Sequence, residues 1–301
     1  MRDWWAIAKD VWTELNHDNV AIIAAGVAFF SMLAIFPLIT ACLSLYGYVA
    51  DPLRVQNQLE TVSGLLPPQA WEILNSQIMA VANAPNSQLG LGIAAGLLIA
   101  LWSAGAGIRA IMRSMNIAYD EKEKRSIAAF YALAGTFTLS VTVFLWIALA
   151  VIVGVPAILA FFKLGGVAAF ITQYMPWALL ISLFGFAVTI LYLYGPSRRP
   201  AKLRWIFPGC IFATLSWIVI SAGFSRFVST FGTYNKTYGS LSAVIILLVW
   251  FWLTALVIIV GAEINAAMER RTSIDTTRGP DRPAGERGAV VADFTPIIPV
   301  I

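Results

Sequence analysis

Six long apolar stretches, at 20–49, 89–108, 130–155, 177–195, 206–228 and 240–262, constrain this chain more than any other feature. A helix rises about 1.5 Å per residue and a bilayer's hydrocarbon core is about 30 Å thick, so roughly 20 apolar residues make one crossing. Each stretch reaches or nearly reaches that length. The expected fold is therefore all-α, a polytopic membrane bundle of six transmembrane helices. The connections set its orientation. Arg2 and Lys9, then Arg109, Arg113, Lys122, Lys124 and Arg125, fall on one side. So do Arg198, Arg199, Lys202 and Arg204, and the group Arg270, Arg271, Arg278, Arg282 and Arg287. Those are sixteen of the twenty basic residues, and only Arg54, Lys163, Arg226 and Lys236 fall on the other side. The positive-inside bias then places both termini in the cytoplasm.

Composition excludes a soluble domain, because 59% of the residues are hydrophobic and 12% charged, against about 25% charged in soluble domains. The basic excess suits loops facing anionic lipid and calls for no nucleic-acid partner. Cys42 and Cys210 both fall in apolar stretches, where packing is their expected role. No cleavable signal peptide is expected, since residues 1–18 are charged throughout.

The spacing predicts an N-terminal helix over 3–16 lying along the inner interface. Trp4, Ala8, Val11, Trp12 and Leu15 share one face, with Asp3, Asp10 and Glu14 largely opposite. Pro37 removes a backbone donor inside the first span, so that position is a candidate hinge or a packing kink. Residues 51–88 form an external segment with two short amphipathic helices broken at Pro67-Pro68. The second span carries Gly92, Gly96, Ser103, Gly105 and Gly107, and small residues at such spacing let helices approach closely. Thr136, Thr138 and Thr142 in the third span are expected to bond back to their own helix. One membrane domain over 1–270 and a mobile cytoplasmic tail over 271–301 complete the layout, the tail being rich in Gly and Pro.

Charges inside spans are costly, which makes them the first candidates for function. Glu263 lies near the inner end of the last span, where it accepts a proton, pairs with Arg109 or Arg113, or serves as a structural carboxylate. Arg226 opens an external cluster with Tyr234, Lys236 and Tyr238, suited to an anionic headgroup or to interfacial anchoring. His17 is the single histidine, so a His-rich metal site within one chain is excluded. No catalytic residue, metal ligand set or cofactor motif is legible, and no phosphate-cradling G-x-x-x-x-G-K or G-x-S-x-G is present.

The run Ala24-Ala25-Gly26-Val27-Ala28-Phe29-Phe30-Ser31-Met32-Leu33-Ala34-Ile35-Phe36-Pro37-Leu38 resembles the signature of the YihY/BrkB family of bacterial inner-membrane proteins. Asn116-Ile117-Ala118-Tyr119 with Arg125, Tyr238-Gly239-Ser240-Leu241, Trp250 and Gly261-Ala262-Glu263-Ile264-Asn265-Ala266 match it as well. The resemblance covers about residues 10–270. It implies a six-span protein of the bacterial inner (plasma) membrane. The family has carried the labels virulence factor and ribonuclease BN. The second finds no support in the residues, because no cluster of carboxylates or histidines suited to a metal-dependent nuclease is legible.

Two readings follow. One is a secondary transporter or lipid-translocating protein of the cell envelope, with membrane lipids as surroundings and an anionic amphiphile as substrate. It would use Arg226, Tyr234, Lys236 and Tyr238 outside, Arg109 and Arg113 inside, and Glu263 as coupling carboxylate. The other is a non-transporting scaffold for envelope proteins.

Overall fold

A computed structural model of the chain describes residues 4–49, 86–143, 165–230 and 240–294. Their regular elements are helices: α1 (Trp4–His17), α2 (Val20–Val49), α3 (Asn86–Ala118), α4 (Ile127–Val143), α5 (Gly165–Tyr194), α6 (Leu203–Thr230), α7 (Ser240–Arg270) and α8 (Val290–Asp293). Among the described residues β-structure is limited to an isolated antiparallel bridge between Ala201 and Thr277. The all-α expectation holds.

Three described helices are long and apolar enough to cross a membrane, over Trp177–Tyr194, Leu203–Phe227 and Val244–Arg270. The pair Trp5–His17 and Val20–Ala34, bent by 63°, makes a fourth if counted as one span. α2 coincides with the first apolar stretch and is helical through position 37. A 63° bend lies at the junction with α1, where Asn19 takes a left-handed backbone (φ 52°). α3 runs on past the second stretch to Ala118, so Arg109 and Arg113 ride on a helix rather than in a loop. The external segment as far as residue 85, residues 144–155 of the third stretch, and Tyr234, Lys236 and Tyr238 lie outside the described residues.

The chain forms two compact units. The first comprises Met1–Ala24, Ile111–Ala222 and Thr254–Ile301. There α1 packs Ile7, Val11 and Leu15, spaced four apart, against Trp205 and against Val260, Ile264, Ala267 and Met268 of α7. This shifts the face expected for α1. Val11 and Leu15 are on it, whereas Trp12 and Trp5 point outward, 70% and 81% exposed. The small Ala267 of α7 leaves room for aliphatic side chains of middling size, and the indoles are left on the outer side.

α6 and α7 touch backbone to backbone. A Cβ on Gly209 would strike the Gly261 carbonyl oxygen, and one on Gly261 would strike the Tyr192 hydroxyl. Tyr192 donates to the Ile258 carbonyl at 2.6 Å, and Asn265 Oδ1 accepts the Gly209 N–H at 2.7 Å. Pro208 just before Gly209 has no N–H of its own and loosens that turn of α6. In α4, Thr136, Thr138 and Thr142 donate to the carbonyls four residues back, as hydroxyls in an apolar span should.

The second unit comprises Ala25–Ala110 and Gly223–Leu253. Gly105 and Gly107 of α3 are buried there, and an added Cβ at Gly107 would lie 3.5 Å from Ser31 Oγ of α2. Close helix approach at small residues follows from their size.

Residues 271–294 do not trail away as the Gly and Pro content suggested. The Lys202 N–H donates to Thr276 O at 2.7 Å, Arg278 N–H to Pro200 O at 2.8 Å, and Arg199 N–H to Gly288 O at 3.0 Å. Asp275 accepts from the Thr277 N–H and hydroxyl and from the Arg282 N–H. Burial alone would raise its pKa, but these bonds hold it below the usual carboxylate value. The buried Arg287 donates to the carbonyls of Ala292, Ser273 and Arg282. Gly279, Gly285 and Gly288 supply the positive φ that such tight folding needs. Glycine here makes turns against a docking surface and is not a mark of freedom.

The same lattice takes in the connection after α3. Glu123 receives Arg125 as a fork, 2.7 Å to Oε1 and 2.9 Å to Oε2, and Asn116 donates to it at 3.0 Å. Asn116 Oδ1 in turn accepts the Ser197 N–H at 2.7 Å. Burial would raise the Glu123 pKa, but the bonds from Arg125, Asn116 and Ser197 outweigh it and bring it from 4.5 down to about 2. A depressed folded-state pKa stabilises the fold above the ordinary value and ceases to do so as pH falls through the folded one. Melting in detergent between pH 7 and 2 is therefore expected to show stability falling below about 4.5. Glu123→Gln should be less stable at pH 7 and should show a shallower fall. Parallel curves for the two proteins would refute this assignment.

Candidate functional site

The C-terminal end of α7, Gly261 to Arg270, carries the site. Glu263 and Arg270 are seven residues apart and so share a helix face. Glu263 is 1% exposed, and neither carboxylate oxygen has a hydrogen-bond partner. Arg270 Nη2 stands 3.7 Å from Glu263 Oε2. Its Nη1 donates to Glu14 Oε1 at 2.7 Å and lies 3.5 Å from Asp120 Oδ2. One guanidinium thus faces three carboxylates from α1, the turn after α3, and α7. Asp18, Glu14 and Asp120 are three acids acting on Glu263. Asp120 sits in a left-handed turn (φ 54°). Its pKa is raised, first by burial and then by Glu14 and Asp18, against the pull of Arg270.

Next to this acidic group is a closely paired one, in which Arg198 Nη1 alone has no hydrogen-bond partner. Arg198 Nη2 donates to both oxygens of Glu269, at 2.9 and 2.8 Å, and the two side chains are 1% and 0% exposed. Thr276 adds its hydroxyl to Glu269 at 2.6 Å, and the Arg198 guanidinium lies over the Tyr119 ring at 4.5 Å. The contrast singles out Glu263. Two buried glutamates stand six residues apart on one helix, one with both oxygens hydrogen-bonded and one with neither.

The other sequence candidates are placed differently. Arg109 lies over the Trp102 ring at 5.3 Å and Arg113 over the Phe130 ring at 5.8 Å. Arg270, on the same helix, brings its guanidinium within ion-pair distance of Glu263. Arg226 is exposed on α6, and Pro37 lies within α2. Sequence reading missed the roles of Arg198, Glu269 and Asp120, although the buried Asn116 and Asn265 stood inside quoted motifs. It also missed that Glu14, His17 and Asp18 bring one ligand atom each within 4.8 Å of one another. Glu14 was read only as part of the polar face of α1, and His17 only as the single histidine.

A helix-only fold, helices apolar enough to span, and a buried carboxylate at the end of one of them define an integral membrane protein. The chain matches the family model described as Virulence factor BrkB over residues 11–286. It belongs to the BrkB family. It is 32% identical over 255 residues to the ribonuclease-like protein YfkH of Bacillus subtilis, covering 83% of this chain and 90% of that one. It is 26% identical over 265 residues to a UPF0761 membrane protein of Pseudoalteromonas translucida, covering 86% and 84%. To a UPF0761 membrane protein of Alteromonas mediterranea it is 25% identical over 264 residues, covering 84% of each. No solved structure matches.

Proposed function

We propose that this protein is a secondary transporter of the bacterial inner membrane, built on six spans with both termini cytoplasmic. Its substrate is an anionic amphiphile or lipid. Glu263 is the coupling carboxylate, and it carries the reading: a charge-bearing group buried in a spanning helix without hydrogen bonds is costly, and such groups in spans mark substrate and ion pathways. Arg226, Tyr234, Lys236 and Tyr238 would meet the headgroup on one side, and Arg109 and Arg113 on the other. Arg109 and Arg113 each place a guanidinium over an aromatic face, those of Trp102 and Phe130.

Reconstituted liposomes test it. Fluorescent anionic phospholipid should cross leaflets faster than in empty vesicles. Glu263→Gln should slow it at least about tenfold, the effect on a rate of losing about 1.4 kcal/mol. No crossing above empty vesicles would defeat the lipid version. A scaffold for envelope proteins would then stand, favoured by the span Trp177–Tyr194, which carries no Asp, Glu, Lys or Arg.

A further inference from the structure

α1 carries apolar side chains on two sides, and its packing within the protein uses one of them. Ile7, Val11 and Leu15 meet α7 and Trp205, while Trp5 and Trp12 stand outward, 81% and 70% exposed. Trp5, Lys9, Trp12 and Asn16 follow at intervals of four, three and four residues, which stacks them on one side of the helix. Ala8 and Thr13 flank this stripe, and both are exposed, as are Lys9 and Asn16.

The charges of α1 divide the same way. Glu14 accepts from Arg270 at 2.7 Å and Asp10 from Arg271 Nε at 2.9 Å, so both carboxylates are held toward the end of α7. Lys9 is the charged member of the outward stripe. The hydroxyl and amide beside it turn back on their own helix. Thr13 Oγ1 donates to Lys9 O at 3.0 Å, and Asn16 Nδ2 donates to Trp12 O at 2.8 Å. What the stripe presents outward is two indoles with an ammonium between them. An indole joins a large apolar ring to one N–H, and a lysine stem lies along apolar surface while its head stays wet. Both suit the headgroup layer of a bilayer.

Two further observations favour lipid as the occupant. α1 continues through Asn19 into α2, and the two together are apolar enough to cross a membrane, so α1 stands where a span begins. A second copy is the weaker fit. Two-fold pairing through this stripe would bring Lys9 toward Lys9, with no carboxylate in the stripe to answer either.

We propose that the outward stripe of α1 is a lipid-binding face, which takes an anionic phospholipid headgroup at Lys9 between the indoles of Trp5 and Trp12. This is a different side of α1 from the one its periodicity favoured, since Val11 and Leu15 hold the protein and not the bilayer. The bilayer surface is thereby tied to the end of α7 through Asp10 and Glu14. The proposal is independent of transport, because it concerns where the resting protein meets lipid.

A nitroxide on Ala8→Cys, in the full chain with Cys42→Ser and Cys210→Ala, reads this face in vesicles. Power saturation compares its collisions with oxygen, which concentrates in hydrocarbon, and with a neutral nickel chelate, which stays in water. In phosphatidylcholine mixed with phosphatidylglycerol, oxygen should dominate. Trp5→Ser with Trp12→Ser should reverse that preference at an unchanged melting temperature, since both rings are exposed. Pure phosphatidylcholine should raise the nickel collisions, and Lys9→Gln should erase the difference between the two membranes. A label dominated by nickel in the mixed vesicles overturns the lipid face. Equal collisions in both membranes before Lys9 is changed overturn the headgroup contact. Spin broadening that vanishes on dilution with unlabelled protein gives the stripe to a second copy and overturns the proposal as well.

Discussion

Glu269→Ala is expected to destabilise the folded protein by about 3–5 kcal/mol, the cost of removing one member of a buried ion pair and stranding the other. Arg198 would keep its charge with almost no water in reach, since its side chain is 1% exposed and both of its bonds to carboxylate oxygens end on Glu269. Thr276 would lose its acceptor as well. Denaturation in detergent followed by helix content would measure the loss. The paired replacement Arg198→Met with Glu269→Leu should cost less than either single change, because no charge is then left buried. A single Glu269→Ala that melts with wild type would show the pair to be idle.

Gly209→Ala should be the second severe change. Overpacking a tight core costs about 1–3 kcal/mol or more when no flexible side chain can give way. Here the added methyl meets the backbone carbonyl of Gly261 and the amide of Asn265, which is held by its own bond to the Gly209 N–H. α6 and α7 would have to part, carrying away the Tyr192 bond to Ile258. Gly26→Ala makes the control, since nothing lies within 4 Å of a Cβ there. The measurement is folded protein recovered in detergent with its melting temperature. Equal recovery of the two variants would contradict the contact.

Helix placement was largely legible in the chain, because hydropathy sums along a segment and does not depend on partners. α2 begins and ends where the first apolar stretch does, and Glu263 stood out as a charge in a span. What pairs with what was not legible. Arg270 was assigned to the tail and Arg109 and Arg113 to a loop, because apolarity ends near residue 108 while the helix runs ten residues further. A polar helical turn beyond the hydrocarbon has no hydropathy signal. The packed tail was hidden for a related reason. Its glycines and prolines read as freedom, and only the acceptors of Pro200, Thr276 and Gly288, distant in sequence, reveal the docking. The face of α1 was half right, since periodicity gives an axis but not which side of it the neighbouring helix will occupy.

The lattice joining residues 116–125, 195–202 and 275–293 has a consequence in time. Asn116 and Ser197 are made long before Thr276, and Glu121 waits 169 residues for the Val290 N–H that it accepts. Chains emerge from the ribosome N-terminus first. The early loops must therefore stay hydrated, with their charges in water, while the later spans are made. Residues 275–293, made after these loops, then close the polar face, with each earlier loop a half-built socket until that moment.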